Sequence, residues 1–562
     1  MRREASVVNK KVCSFPILFA LLALLIGICA VVFPASAQAA PTSTGSITVS
    51  GTVARSYDAY QIFSANVVDD DSDAKIAADL AWASDAARDA VLPVLHSAGM
   101  PNSQTTAQEA AEWLNTDSHL TSALSAQLAR SLQSSGAEPV ALNAGTAAEL
   151  PCGYWLIVAK DDAIAQGEAG TAPIMALVGG SAVTVKPKAA TPKVSKHVLE
   201  DSTAAWQKAA DATVADDLYW RLSATVPAGL TAYDTYAVQF VDTMSAGLDP
   251  SKVAASMRVY VAAGADGGFD AVQAGKDGRA GTKPAKGWTD ITAQCATRVA
   301  ADGTFTVRTG DLIAALGGAD AFTAGARVVA VYNAPLNSAC NHGIAKGNPN
   351  EVYLRYPRSP FADQSGDAGF TRTPSDDACA YTWDLALTKR GSDGDKPLAG
   401  AVLSIADDRG RTLAADGTWD AEGKATVTTG EDGRVTVSGV DSGKLEVREL
   451  KAPKGYTAFE GTRSVTVKAE GLDVDQVAAA KPKLTITAES PVRADSADGS
   501  TGSLEASLIN TPTGTPPSIT TGGFMPSTGD MAMYAAAAAA VAGAALIVVA
   551  LLVKRGGGSH KE

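Results

Sequence analysis

Histidine is scarce in this chain. It holds five, His96, His119, His197, His342 and His560, and no two stand in a His-x-x-x-His relation. Zinc sites and general-base chemistry lean on that side chain, so a metal-dependent or His-dependent hydrolase has little to build on. Cysteine is sparse as well. Of six, Cys13 and Cys29 fall in an apolar N-terminal run, leaving Cys152, Cys295, Cys340 and Cys379. Their wide spacing fits no zinc pattern, and four thiols allow up to two disulfides in any of three connectivities. No basic patch dominates a chain of net charge −13, which argues against nucleic acid as a partner. The Asp69-Asp-Asp-Ser-Asp73 run lacks the ligand spacing of a calcium loop and reads as a solvated turn. No Ser/His/Asp, Cys/His or metal arrangement is visible, and no cofactor is called for. The expectation is a protein that is not an enzyme.

What the chain does have is concentrated first at its ends. Arg2, Arg3, Lys10 and Lys11 precede an apolar run from Phe15 to Phe33, followed by the small residues Ala35-Ser-Ala-Gln-Ala-Ala40. That order is an export signal over residues 1–40. Ile28 before Cys29 is too large for a lipidation site. At the other end, Phe524-Met-Pro-Ser-Thr-Gly-Asp530 leads into Met531–Val553, an uncharged apolar run closed by Lys554 and Arg555. A stretch of that length can cross a bilayer, and the basic pair would hold the tail (554–562) inside.

Between the ends, a hydrophobic share of 46% excludes wholesale disorder, and 52 Gly with 26 Pro imply many turns. There is room for about three domains. Residues 41–189 read as α+β: strands near Ser46–Val68, helical periods at Ala74–Leu92 (stopped by Pro93) and Thr105–Leu132, then strands at Gly153–Val158 and Ala182–Val185. Residues 190–372 alternate in short strands at Asp217–Val226, Tyr236–Val241, Ser256–Ala262, Gly303–Arg308, Arg327–Tyr332 and Glu351–Tyr356, the pattern of an antiparallel sandwich. Gln364–Asp377 is a polar boundary, and residues 380–512 are again all β. Residues 513–530, rich in Thr, Pro and Gly, make an extended stalk.

Within the last domain, Leu385-Ala-Leu-Thr-Lys389 is a strand whose alternation points Leu385, Leu387 and Lys389 to one face. Leu445-Glu-Val-Arg-Glu449 does the same with Leu445, Val447 and Glu449. Ionisable groups in register with core residues are costly unless they meet each other.

These segments carry several resemblances. Met525-Pro526-Ser527-Thr528-Gly529 is similar to the Leu-Pro-x-Thr-Gly sorting signal of Gram-positive surface proteins, departing only at its first position. The resemblance implies that a sortase cuts between Thr528 and Gly529 and passes the acyl group to an amine. Leu445–Tyr456 with Lys389 and Asn510 resembles the Cna-B-type domain of pilins, whose E-box keeps Glu, Ala-Pro and Gly-Tyr; Leu450 stands where Thr is usual. That resemblance implies an intramolecular isopeptide bond between Lys389 and Asn510, assisted by Glu449. Burial disfavours charge, which leaves a lysine amine nucleophilic and a carboxyl able to carry the proton. In the middle domain, Lys196 and Tyr236–Leu248 with Asp242 resemble the corresponding segment of pilin backbones. The Asn expected where Tyr356-Pro357-Arg358 stands is missing, so Asn350 (or Asn348) is the fallback, and Cys295 with Cys340 an alternative brace. Finally, Val183-Thr-Val-Lys186-Pro187-Lys188 resembles the pilin motif Val-x-Val-Tyr-Pro-Lys, making Lys188 the amine that receives a neighbour's Thr528. Gly179 stands where that motif's family has Trp.

Taken together, the chain resembles the SpaA-like backbone subunit of a sortase-assembled pilus. The fold this implies is mainly β: tandem immunoglobulin-like (Cna-A/Cna-B, prealbumin-like) sandwiches after an α+β domain, plus one C-terminal transmembrane helix. The implied partners are a class C-type pilin sortase, a housekeeping sortase, identical subunits, peptidoglycan, minor pilins and host surface ligands. The competing reading is a monomeric wall-anchored adhesin that uses the same domains without polymerising.

Overall fold

The computed structural model describes residues 43–51, 55–70, 74–116, 119–160, 164, 167–187, 191–228, 230–264 and 287–514. The leader, Lys188, the motif Met525–Gly529 and the apolar run Met531–Val553 lie outside them. Among the described residues no helix is long and apolar enough to cross a membrane.

The architecture is mainly β, in three successive sets of sheets. In the first, Ser56–Asp69 is the hub of a sheet, pairing with Lys75–Trp82, Val140–Asn143 and Gly153–Ala159. Thr44–Val49 joins Ala147–Pro151 and Val183–Val185 in a second, smaller sheet. Three helices, Asp85–Ser97, Ala107–Asn115 and Ser122–Gln133, cover one face. Ser84, Thr106 and Thr121 each accept a hydrogen bond from a backbone N–H of the first turn, and Glu109 completes a capping box with Thr106. Two helical expectations need correction. Residues 75–82 are a strand rather than the start of a helix, and the helix that follows runs through Pro93. Its buried stripe of Ala87, Ala90, Val91 and Leu95 continues past the proline, so packing outweighs the lost N–H. The stretch 105–132 is two helices, broken where Trp113 stacks on His119 at 4.1 Å between ring centres.

The middle set is a sandwich. One sheet runs Ala205–Gln207, Val194–Glu200, Tyr219–Thr225, Arg327–Asn333, Arg258–Ala262 and Trp288–Asp290; the facing one centres on Gln239–Met244 and Asn348–Pro357. It reaches further than the sequence suggests, since Asp376–Tyr381 pairs with Asn348–Pro357 and with Ala209–Asp211. The last set begins at Trp383–Gly391, which lies parallel to the final strand Ser503–Pro512. A facing sheet holds Val402–Ala406, Gly443–Lys451, Thr462–Glu470 and Lys483–Ala488. In the parallel pair, Lys389 is opposite Leu508 and Gly391 opposite Asn510. With a side-chain period of two, Lys389 and Asn510 therefore point into the same core as diagonal neighbours.

Candidate functional site

Each sandwich buries a lysine at its centre. In the last one, Lys389 sits in a core of Leu385, Leu387, Leu403, Val447 and Leu508 and is 0% exposed. Its Nζ donates to Asn510 Oδ1 at 2.5 Å and to the Leu508 carbonyl at 3.3 Å. From the facing sheet, Glu449 brings Oε1 to 3.6 Å from that amine, and the same oxygen accepts from Asn510 Nδ2 at 2.8 Å. Phe459 closes the site: its backbone N–H donates to Glu449 Oε2 at 3.0 Å, and its ring centre lies 5.5 Å from the amine. Burial pulls the Lys389 amine down to about 8, against the opposing attraction of Glu449. An amine of that basicity, held against a carboxamide whose nitrogen already bonds a carboxyl group, is arranged for acyl transfer. Alternation located Lys389 and Glu449, but Phe459 was missed because it lies in the loop after the E-box. Leu450, where the E-box pattern has Thr, points outward and is 48% exposed, so its identity does not touch the site.

The middle sandwich repeats the theme. Lys196, on Val194–Glu200, is 0% exposed, and its Nζ contacts Asp242 Oδ2 and donates to Tyr332 Oη at 2.9 Å. Asn350 Nδ2 donates to the same phenol oxygen at 2.8 Å. Tyr332 Oη in turn lies 3.1 Å from Asp242 Oδ2, to which it donates. Trp220 and Tyr332 each place a ring centre 5.5 Å from the amine. Burial lowers Lys196 to about 8 and raises Asp242, in each case against the attraction of the partner. Asp242 Oδ1 and Asn350 Oδ1 are buried with no hydrogen-bond partner among the described residues. Of the two fallback asparagines, only Asn350 joins this cluster. Asn348 spends its amide on the backbone of Asn341 and Ala380. Tyr332 was not foreseen. Its strand is buried on both faces, so it has no polar alternation to mark an inward phenol.

The strand Val183–Val185 ends at Lys186, which is exposed, and Pro187. Lys188 follows directly, outside the described residues. Gly179 has a physical reason for its departure from Trp: at φ +129° a Cβ there would lie 2.5 Å from Val67 and 2.9 Å from Cys152 Sγ. Cys152, Cys295, Cys340 and Cys379 are all free, the lower end of the zero to two disulfides that four thiols allow. Cys152 packs in the first sheet set and Cys379 in the last core. Cys295 and Cys340 both border the middle core, but Cys295 Sγ faces the Ile291 carbonyl and Cys340 Sγ faces His342 Nε2.

A family model described as the SpaA prealbumin-like fold domain matches residues 384–481. The trypsin-resistant surface T6 protein of Streptococcus pyogenes serotype M6 is 30% identical over 143 residues, which is 24% of this chain and 24% of that protein. The chain thus matches that relative over about a quarter of its length. Among solved structures, the T6 backbone pilin of serotype M6 S. pyogenes aligns with 85% of this chain and 100% of its own, at 16% identity and a TM-score of 0.46. The major pilin SpaD of Corynebacterium diphtheriae covers 84% of this chain and 98% of its own, at 15% identity and a TM-score of 0.40. The segment that supplies Lys389 and Glu449 is thus the part of the chain similar to the SpaA prealbumin-like fold domain.

Proposed function

We propose that this protein is the structural backbone subunit of a covalently polymerised surface pilus, with its domains braced internally by isopeptide bonds. The observation that carries the reading is the buried contact of Lys389 with Asn510 under Glu449. The Lys389 amine attacks Asn510 Cγ, a new C–N bond forms, and the Asn nitrogen leaves as ammonia. Glu449 takes a proton from the amine and returns it to the leaving nitrogen. Nothing external is required, because the fold itself holds the reactants in contact. The same step joins Lys196 to Asn350 with Asp242 as proton carrier and Tyr332 as a relay. The two buried oxygens without a partner among the described residues, Asp242 Oδ1 and Asn350 Oδ1, support the assignment.

In this reading, the domains are the spans 41–189, 190–372 and 380–512, with the strand Asp376–Tyr381 pairing into the middle one. Export and wall anchoring fall to residues 1–40 and to Met525–Gly529, with Thr528 as acyl donor to Lys188 of the next subunit, and finally to peptidoglycan. Sortases are the enzymes, and this chain is their substrate. The mature ectodomain is expected to weigh two ammonia less than its sequence. Glu449→Ala should restore one ammonia and Asp242→Ala the other. A wild-type mass equal to the sequence mass would overturn the internal bonds.

A further inference from the structure

The loop between Arg327–Asn333 and Asn348–Pro357 carries a constellation that the isopeptide chemistry does not use. Cys340 Sγ lies 3.5 Å from His342 Nε2, and His342 Nδ1 lies 2.7 Å from Asp384 Oδ2. Asp384 belongs to the first strand of the next sandwich and is itself held, its Oδ1 accepting from Ser438 Oγ at 2.5 Å and Gly439 N at 3.0 Å. The loop is sewn to that sandwich by its backbone: Gly343 N donates to Thr382 O at 3.0 Å, Ile344 N to Gly499 O at 3.1 Å and Ala345 N to Ser500 O at 3.2 Å. Gly343 and Gly502 meet so closely that a Cβ on either would lie 2.4 Å from the other's nitrogen. The three side chains are thus placed by a hydrogen-bonded seam between two sandwiches.

Their order is thiol, imidazole and orienting carboxylate. Asp384, and then Cys340, raise His342 to about 10, so its ring is protonated at neutral pH. Those two are the groups that act on the imidazole. A protonated imidazole beside a sulfur can hand its proton to a departing thiolate. Cys340 is 8% exposed, whereas the His342 and Asp384 side chains are 25% and 31% exposed, so a nearly buried sulfur lies beside a more accessible imidazole. Among the described residues Cys295 and Cys379 have no such partner, and burial raises both to about 11.

We propose that Cys340, His342 and Asp384 form a nucleophilic thiol site that takes small soft electrophiles, with low-molecular-weight disulfides as the natural class. The Cys340 sulfur attacks one sulfur of the disulfide. A new S–S bond to Cys340 forms as the reagent's S–S bond breaks, and the departing thiolate takes the proton from His342 Nε2. One thiol is consumed and one is released, with the disulfide as sole oxidant. Asp384 is a positioning residue that keeps the imidazole charged and aimed.

The test treats the folded ectodomain with hydroxyethyl disulfide at pH 6 and at pH 9, following adducts by intact mass and peptide mapping. Cys340 should be modified first, at least about tenfold faster than Cys295 at pH 6. His342→Gln should slow Cys340 about tenfold or more at pH 6 but little at pH 9, where an ordinary thiol ionises unaided. Asp384→Asn should shift the pH profile the same way while leaving the rate at pH 9 intact. Should either variant fail to fold, the wild-type order of modification still decides. Cys340 reacting no faster than Cys295 at pH 6, or with a rate unchanged by His342→Gln, would overturn the proposal.

Discussion

Lys389 is a charged residue type placed where charge is most expensive, and that conflict is the source of its chemistry. A variant that cannot form the bond, Asn510→Ala, leaves the amine free to titrate. Folded, the amine releases its proton at about 8, whereas its unperturbed value is 10.5. Between those values the unfolded chain holds more protons, so raising the pH favours the folded state. Below pH 8 the full penalty of the buried charge is present. The variant should therefore gain stability from pH 7.5 to 10 by as much as a few kcal/mol, at roughly 1.4 kcal/mol per unit. Adding Lys389→Met should flatten the curve, which urea titration across that range would measure. A residue-scale reading of the sequence reached Lys389 and Glu449 because each breaks a period-two apolar pattern, and Lys196 and Asp242 through the likeness to pilin backbones. It missed Phe459 and Tyr332, whose apolar rings break no pattern. It also missed Cys340–His342–Asp384, where the carboxylate comes from a different sandwich than the other two.

At the scale of the element, register decides whether the reactants meet. Gly391 is paired with Asn510, and the side chain two positions back on the first strand is Lys389. Slipping one strand by a single residue turns its inward set outward. Inserting one alanine between Ile509 and Asn510 keeps every reactive group in the chain but moves the asparagine to the solvent side. The last domain should then lose its bond, read as one ammonia regained in the ectodomain mass, as if Glu449 had been removed. A mass still lacking that ammonia would mean that strand register does not place the reactants. Strand positions in the middle sandwich were legible because short apolar runs are bounded by Gly, Asp and Pro. Helix limits were less so. Pro93 reads as a stop but is tolerated where Val91 and Leu95 pack, and 75–82 mixes both periods. The asparagine partner was sought at Tyr356–Arg358 because the likeness placed it there. Asn350, at the other end of the same strand, was legible only as a fallback, since cross-sheet depth has no signature in sequence.

For the whole molecule, the two ties would run close to first-to-last strand of their sandwiches. Lys389 and Asn510 are 121 positions apart, and by the loop-entropy estimate for cross-links a closure of that length is worth about 5 kcal/mol. Glu449→Ala should destabilise the last domain by that order, seen as a lower midpoint in urea, and make the ectodomain sensitive to protease. Links between subunits need one donor and one acceptor at opposite ends of each chain, a head-to-tail arrangement that extends without closing. Thr528 follows the last domain and Lys188 precedes the middle one. Lys188→Arg keeps the charge and removes the usable amine. The deciding measurement is denaturing electrophoresis of muramidase-released wall material from cells making wild-type protein or Lys188→Arg. A ladder of covalent multimers in the wild type, collapsing to wall-linked monomer in the variant, is the expected result. A single monomer band from wild-type cells would contradict the pilus reading and leave a lone wall adhesin.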